Sequence, residues 1–170
     1  MPTTATARLA RLYERLTGAL AALAGLLLVA ASLGIGIDVA LRACCDSALF
    51  GLGDAIEHGI AAATFLAAPW VLARGAHVSV DIVAATLPAH LRPPLAGLAD
   101  LLGLAISMGF AWACFAAFAL AWERESMVRG ILAFPEWGTA APPLIGAVLL
   151  ALGFALRLAG ARPRAAPVGP

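Results

Sequence analysis

The chain has 170 residues, of which 62% are hydrophobic and only 12% are charged, and its mean hydropathy is +0.94. A small soluble domain cannot hide that much apolar surface, because most of a protein of this size is surface. The composition also excludes disordered chains and disulfide frameworks, and a net charge of +1 gives no reason to expect a nucleic-acid partner. The sequence therefore predicts a protein embedded in a lipid bilayer.

Four apolar stretches are each long enough to cross a bilayer as a helix. The hydrocarbon core is about 30 Å thick and requires about 20 apolar helical residues. The predicted spans cover residues 16–41, 54–74, 95–122 and 139–159. We expect an all-α membrane protein with one four-helix transmembrane domain over residues 1–160, followed by a flexible tail at residues 161–170.

The first span has some features of a secretory signal, because Arg8, Arg11 and Arg15 precede an apolar run that contains small residues. That run continues to Ile37, which exceeds the roughly 7–15 apolar residues of a signal peptide. We therefore expect the first span to remain uncleaved.

The basic residues are distributed unequally between the two sides that four spans define. The cytoplasmic loops of membrane proteins are rich in Lys and Arg. One side carries eight arginines, namely Arg8, Arg11, Arg15, Arg74, Arg92, Arg157, Arg162 and Arg164. The other side carries three, Arg42, Arg124 and Arg129. We therefore expect both termini to be cytoplasmic. The opposite face collects seven of the ten acidic residues, Asp38, Asp46, Asp54, Glu57, Glu123, Glu125 and Glu136.

The loop between spans two and three has helical spacing. Val78 and Ile82 share one helical face, and His77 and Asp81 share another. This pattern predicts a short helix that lies at the cytoplasmic interface. A helical extension of span two that ends at Pro88 is the open alternative.

Ionisable side chains inside a span are costly, so each needs a partner or a task. Asp38 and Arg42 are four residues apart and can pair on one helix face. Glu57, one turn into span two on the same side, is a second possible partner of Arg42. On the cytoplasmic side, Asp100 lies about one turn into span three, where Arg74 could reach it. We favour structural or intersubunit contacts for Glu57 and Asp100, because coupling carboxylates of transporters usually lie near the midplane.

Catalytic and cofactor chemistry has little support. Only His58 among the histidines lies in a span, and it has no facing histidine that would complete a haem site. His77 and His90 lack further ligands at zinc spacing. We expect no metal, no cofactor and no enzymatic activity. The three cysteines, Cys44, Cys45 and Cys114, are interpreted as small apolar residues rather than a disulfide framework.

The order of these residues resembles a known family. Over about residues 8–160 the chain is similar to the small membrane subunit of the tripartite ATP-independent periplasmic (TRAP) transporters, of the DctQ or SiaQ type. The stretch RGAHVSVD at residues 74–81 is the most specific part of the resemblance. The other residues that carry it are Arg42 at the end of span one, Glu57 at the start of span two, Leu87-Pro88, and Pro135-Glu136-Trp137 before span four.

The resemblance implies a multi-pass subunit of a bacterial inner-membrane transporter that imports carboxylate-bearing solutes on a sodium gradient. It implies two protein partners, a large membrane subunit that moves the solute and a periplasmic solute-binding protein that captures it. The small subunit is then a brace without a substrate site of its own.

Residue roles follow from the same resemblance. Arg42 and Glu57 are expected to tie spans one and two together or to contact the large subunit. Arg74, His77 and Asp81 are expected to fix the cytoplasmic turn. The candidates for contact with the binding protein are Glu123, Glu125, Glu136 and Trp137.

The alternative function is a self-sufficient four-helix exporter that acts as a dimer and exchanges protons at Glu57. That function requires Glu57 to lie deep in the membrane and to face a cavity. By helical rise, Glu57 is only about 5 Å inside its span.

Overall fold

The four apolar stretches form four long helices in the computed structural model, which describes residues 4–74, 92–128 and 134–160. The helices are α1 (Thr4–Cys45), α2 (Leu52–Ala73), α3 (Arg92–Glu123) and α4 (Trp137–Leu158). Each is long and apolar enough to cross a membrane, so the predicted four-helix all-α fold is confirmed. The predicted interfacial helix, with His77 and Asp81, and the predicted tail at residues 161–170 lie outside the described residues.

The helices pack side by side as a single layer in the order α1, α2, α4, α3. α2 packs against both α1 and α4, and α3 packs against α4. α1 touches α4 only slightly, and within the described ranges it does not reach α3. Long side chains bridge α2 and α3 across α4, where the rings of Phe65 and Phe110 stack with centroids 5.7 Å apart. The described helices therefore form an open layer with α1 and α3 at its edges, and not a closed bundle.

Small residues allow α2 and α4 to approach closely at the centre of the layer. Gly146 and Ala147 of α4 are buried at this contact, whereas the buried Ala63 of α2 clusters with Ala24 of α1. A methyl group on Gly146 would press on the backbone carbonyl of Phe65 and would lie 3.0 Å from its carbonyl carbon. Lipid tails are as apolar as leucine, so helices in a membrane associate through such close packing.

α3 contacts α4 along one narrow stripe. Its buried residues, Asp100, Ser107 and Ala121, are separated by multiples of seven, with the half-buried Cys114 between them. Residues seven apart return to nearly the same face of a helix. The remaining circumference of α3 is largely exposed, so the fold leaves an unusually large apolar surface at this edge.

α1 and α3 are longer than the predicted spans. They have 42 and 32 residues, and at 1.5 Å per residue they extend about 63 and 48 Å, beyond a hydrocarbon core of about 30 Å. Because Gly34 lies against Leu52, the last turns of α1 project past the start of α2. The return loop, residues 46–51, then folds back along α1, with Leu49 N donating to Asp38.

The layer has two ends. We call them the Tyr13 end, which contains Tyr13, Asp100 and Arg157, and the Trp137 end, which contains Arg42 and Trp137.

Candidate functional site

Buried side chains join α1, α2 and α4 at the Tyr13 end. Tyr13 is 1% exposed, and its hydroxyl donates a hydrogen bond to the carbonyl of Pro69 at 3.3 Å. A side chain on Gly153 of α4 would occupy the space of the Tyr13 hydroxyl and of Leu72. The buried hydroxyl of Thr17 donates to the Tyr13 carbonyl at 2.8 Å, within its own helix. The first turns of α1 therefore fix this helix to the two central helices.

A buried ion pair joins α3 and α4 at the same end. Arg157 Nε lies 3.3 Å from Asp100 Oδ1, and the two side chains are 18% and 5% exposed. Arg74, which the sequence suggested as a partner of Asp100, places its guanidinium 5.0 Å from the centroid of the Trp70 ring. The order of the helices explains the difference, because α4 lies between α2 and α3 and brings Arg157 to Asp100.

Asp38 links α1 to the return loop at the Trp137 end. Its Oδ2 accepts a hydrogen bond from Arg42 Nε at 2.7 Å, and its Oδ1 accepts one from Leu49 N at 2.7 Å. The Arg42 side chain is 64% exposed, so solvent screens the ion pair and it contributes little to stability. Glu57 is exposed in the second turn of α2, and the described ion pair of Arg42 is with Asp38.

The described residues on either side of the connection between α3 and α4, 126–128 and 134–136, pair in antiparallel fashion, and we call this pair of segments the α3–α4 turn. Met127 and Pro135 form a bridge, Val128 N donates to Phe134 O at 2.9 Å, and Glu136 N donates to Ser126 O at 2.9 Å. These bonds hold the end of α3 close to the start of α4.

A cluster of three aromatic rings lies next to this turn. Trp122 and Trp137 pack edge to face with centroids 5.5 Å apart, and Phe118 lies 6.1 and 6.4 Å from them. Such rings are typical of the boundary between hydrocarbon and water. The four predicted docking residues are exposed at this level: Trp137 belongs to the aromatic cluster, and Glu123, Glu125 and Glu136 are its neighbours in the chain.

An open cavity of about 730 Å³ with a mixed polar and apolar lining lies beside the turn. His58 Nδ1 lies 2.7 Å from the carbonyl of Asp54, and the His58 ring packs edge to face on Phe134. The cavity is lined by His58, Ser126, Met127, Val128, Glu136 and Thr139. It lies at the Trp137 end and not in the middle of the layer. No group of three or more His, Cys, Asp or Glu that could hold a metal ion occurs in the described ranges.

The three cysteines differ in their exposure. Cys44 and Cys45 are exposed at the last turn of α1, and only Cys114 is half-buried. The expectation of apolar packing within the chain therefore fits Cys114 better than the other two. All three are free thiols.

Sequence reasoning did not single out Tyr13, Thr17 or Arg157. Tyr13 was missed because it precedes the predicted first span. Two features of the sequence could have identified it: it is the only tyrosine, and Thr17 follows four residues later on the same helical face. Arg157 was counted for orientation only, because the sequence does not reveal which helix lies next to α3.

Comparison with protein families identifies a match. A family model described as "Tripartite ATP-independent periplasmic transporters, DctQ component" matches residues 32–164, which is more than half of the chain. The match includes α2, α3 and α4 and the last third of α1, and it begins after Tyr13 and Thr17. Comparisons with curated proteins and with solved structures gave no match.

Proposed function

Because this chain belongs to the DctQ component family of tripartite ATP-independent periplasmic transporters, we propose that it is the bracing subunit of such a transporter in a bacterial inner membrane. In this function it packs against a large membrane subunit, which moves the solute, and helps to position a periplasmic solute-binding protein. The complete system takes up carboxylate-bearing solutes on a sodium gradient.

The open layer is the observation that supports a bracing function. A pathway for a hydrophilic solute needs polar groups enclosed by protein at membrane depth. Here the charged groups that the sequence singled out lie near the two ends, with Arg42 and Glu57 at one and Asp100 at the other. The faces between them expose aliphatic side chains, including Leu26 at 65% and Ile106 at 72%. Such a surface fits contact with lipid and with another membrane protein.

The orientation follows from the arginine distribution. With the Tyr13 end in the cytoplasm, the Trp137 end and its exposed acidic residues face the periplasm and the binding protein. The exposed Cys44 and Cys45 allow a direct test. A membrane-impermeant maleimide should label them in cells whose outer membrane alone has been permeabilised. Labelling only after the inner membrane is opened would reverse the orientation.

Reconstitution tests the function. The chain is coexpressed with a large permease and a solute-binding protein of the same transporter family from the same organism, and uptake is measured in proteoliposomes with and without a sodium gradient. We expect uptake only when all three proteins and the gradient are present. Uptake by this chain alone, or undiminished uptake in its absence, would refute the bracing function. The first of these results would instead favour the exporter.

Acidic residues at the Trp137 end test docking. Neutralising Glu123, Glu125 and Glu136 together should raise the concentration of loaded binding protein needed for half-maximal uptake, and the effect should shrink in high salt, because exposed charges mainly steer association. The matched control is Glu14→Ala, which removes an exposed acid at the Tyr13 end. Equal effects of the two changes would exclude a specific docking role.

A further inference from the structure

The edge helix α3 carries a residue that is poorly suited to lipid. Trp112 is 74% exposed on the side of α3 turned away from α4. It lies twelve residues after Asp100 and ten before Trp122, which is about 18 and 15 Å along the helix. This places the indole near the middle of the span. Tryptophan is otherwise enriched at the interfaces, where its N–H meets water or head groups.

The indole N–H of Trp112 has no acceptor among the described residues. The ring contacts Phe115, with centroids 6.5 Å apart, and makes no hydrogen bond there. Other polar groups at comparable depth are satisfied within their own helices, since Thr64 donates to Ile60 O at 2.9 Å and Ser107 to Leu104 O at 3.0 Å. An indole is too long to bond its own backbone in this way. Hydrocarbon offers no acceptor either, so an unpaired N–H at this depth is unfavourable.

A trough of small residues runs beside Trp112. Ala105, Gly109, Ala113 and Ala116 are exposed, lie three or four residues apart, and face directly away from α4. Nothing lies within 4 Å of the position that a side chain on Gly109 would take. Stripes of this kind let two transmembrane helices approach closely.

We propose that the Trp112 face, defined by Ala105, Gly109, Trp112, Ala113 and Ala116, is the surface on which a transmembrane helix of the large subunit docks. The docking helix fills the trough and brings a backbone carbonyl or hydroxyl oxygen to mid-membrane depth, where it accepts the Trp112 N–H. This inference rests on the proposed bracing function. It places α3 at the edge of the layer that faces the large subunit and α1 at the opposite edge. The large exposed residues of α1 at similar depth, such as Leu26 and Val29, are aliphatic and need no hydrogen-bond acceptor.

Affinity between the two membrane subunits tests the docking surface. The large subunit is titrated with the detergent-solubilised chain, and the dissociation constant is measured for the unaltered chain and three variants. Trp112→Phe keeps an aromatic ring but removes the donor, and should weaken binding about threefold, as expected for one hydrogen bond in a membrane protein. Gly109→Leu fills the trough and should weaken binding about tenfold or more.

The matched control is Gly25→Leu on α1, which makes the same change at an exposed glycine with open space around it. It should leave the dissociation constant unchanged. A loss of binding with Gly25→Leu and none with Gly109→Leu would place the docking surface on α1 and overturn the inference. If the unaltered chain does not bind the large subunit at all, the proposed bracing function is wrong, and not only the docking surface proposed on α3.

Photo-crosslinking identifies the occupant. A photoreactive phenylalanine analogue replaces Ala113 on α3 or, as control, Val29 on α1, in membranes that contain both subunits. An adduct between Ala113 and the large subunit, with none from Val29, is the expected result. An adduct of Ala113 with a second copy of the chain, or with lipid alone, would overturn the proposal.

Discussion

A single methyl group at Gly146 is expected to separate the two central helices. Gly146→Ala would place Cβ against the backbone carbonyl of Phe65 and 3.0 Å from its carbon. A carbonyl on a helix cannot rotate away as a side chain can, so α2 and α4 must move apart. Overpacking of this kind costs about 1–3 kcal/mol, and the better helix propensity of alanine returns up to about 1 kcal/mol. With the full gain in propensity, we expect a net destabilisation of about 0–2 kcal/mol.

Substitution of a glycine that has open space around it separates the packing cost from the gain in helix propensity. Gly59 of α2 has nothing within 4 Å of the position that a side chain would take there, so Gly59→Ala should show only the gain in propensity, up to about 1 kcal/mol. Unfolding of the purified chain in mixed micelles, titrated with denaturing detergent and followed by circular dichroism, measures both variants. Their difference isolates the packing cost, about 1–3 kcal/mol. Equal stability of the two variants would refute the close approach of α2 and α4.

Three further experiments probe the ends of the layer, by the same unfolding titration or by hydrogen exchange. Tyr13→Phe removes the donor to Pro69 and should cost about 0.5–1.5 kcal/mol; no loss would show that the hydroxyl is not bonded. A double-mutant cycle with Asp100→Asn and Arg157→Gln should give a coupling of about 0.5–3 kcal/mol, and additive losses would mean that the pair does not join α3 to α4. Asp38→Ala should accelerate amide exchange in the return loop without changing global stability, and unchanged exchange would contradict its linking role.

The number and approximate position of the helices could be predicted because hydrocarbon thickness fixes how many apolar residues a span needs. The ends of the helices could not, since α1 begins about three partly polar turns before its apolar stretch and continues for one turn after it. Its true bounds are Thr4 and Cys45 instead of residues 16–41. Hydropathy detects burial in lipid, whereas a helix in water or at an interface can continue for as long as its backbone bonds and local contacts favour it.

The lateral order of the helices was also beyond sequence reasoning. Arg74 and Arg157 both end a helix on the same side of the membrane, and either could have faced Asp100. Only the packing of α4 between α2 and α3 decides between them. The contact of Asp38 with Arg42 was accessible because it lies within one helix, where residues four apart are neighbours. Local pairs can thus be inferred from spacing, and pairs between helices require the fold.

An open layer lacks the enclosed core that keeps a helix bundle in shape, so its stiffness has to come from specific contacts. At the Tyr13 end, Tyr13 joins three helices and the Asp100–Arg157 pair attaches the fourth. At the opposite end, the Asp38 contacts hold the return loop against α1, and the described residues of the α3–α4 turn pair with each other. Between these ends, small residues bring α2 and α4 together over their backbones. A brace must resist bending while leaving its faces free for lipid and a partner, and contacts concentrated at the ends and along one central seam meet both requirements.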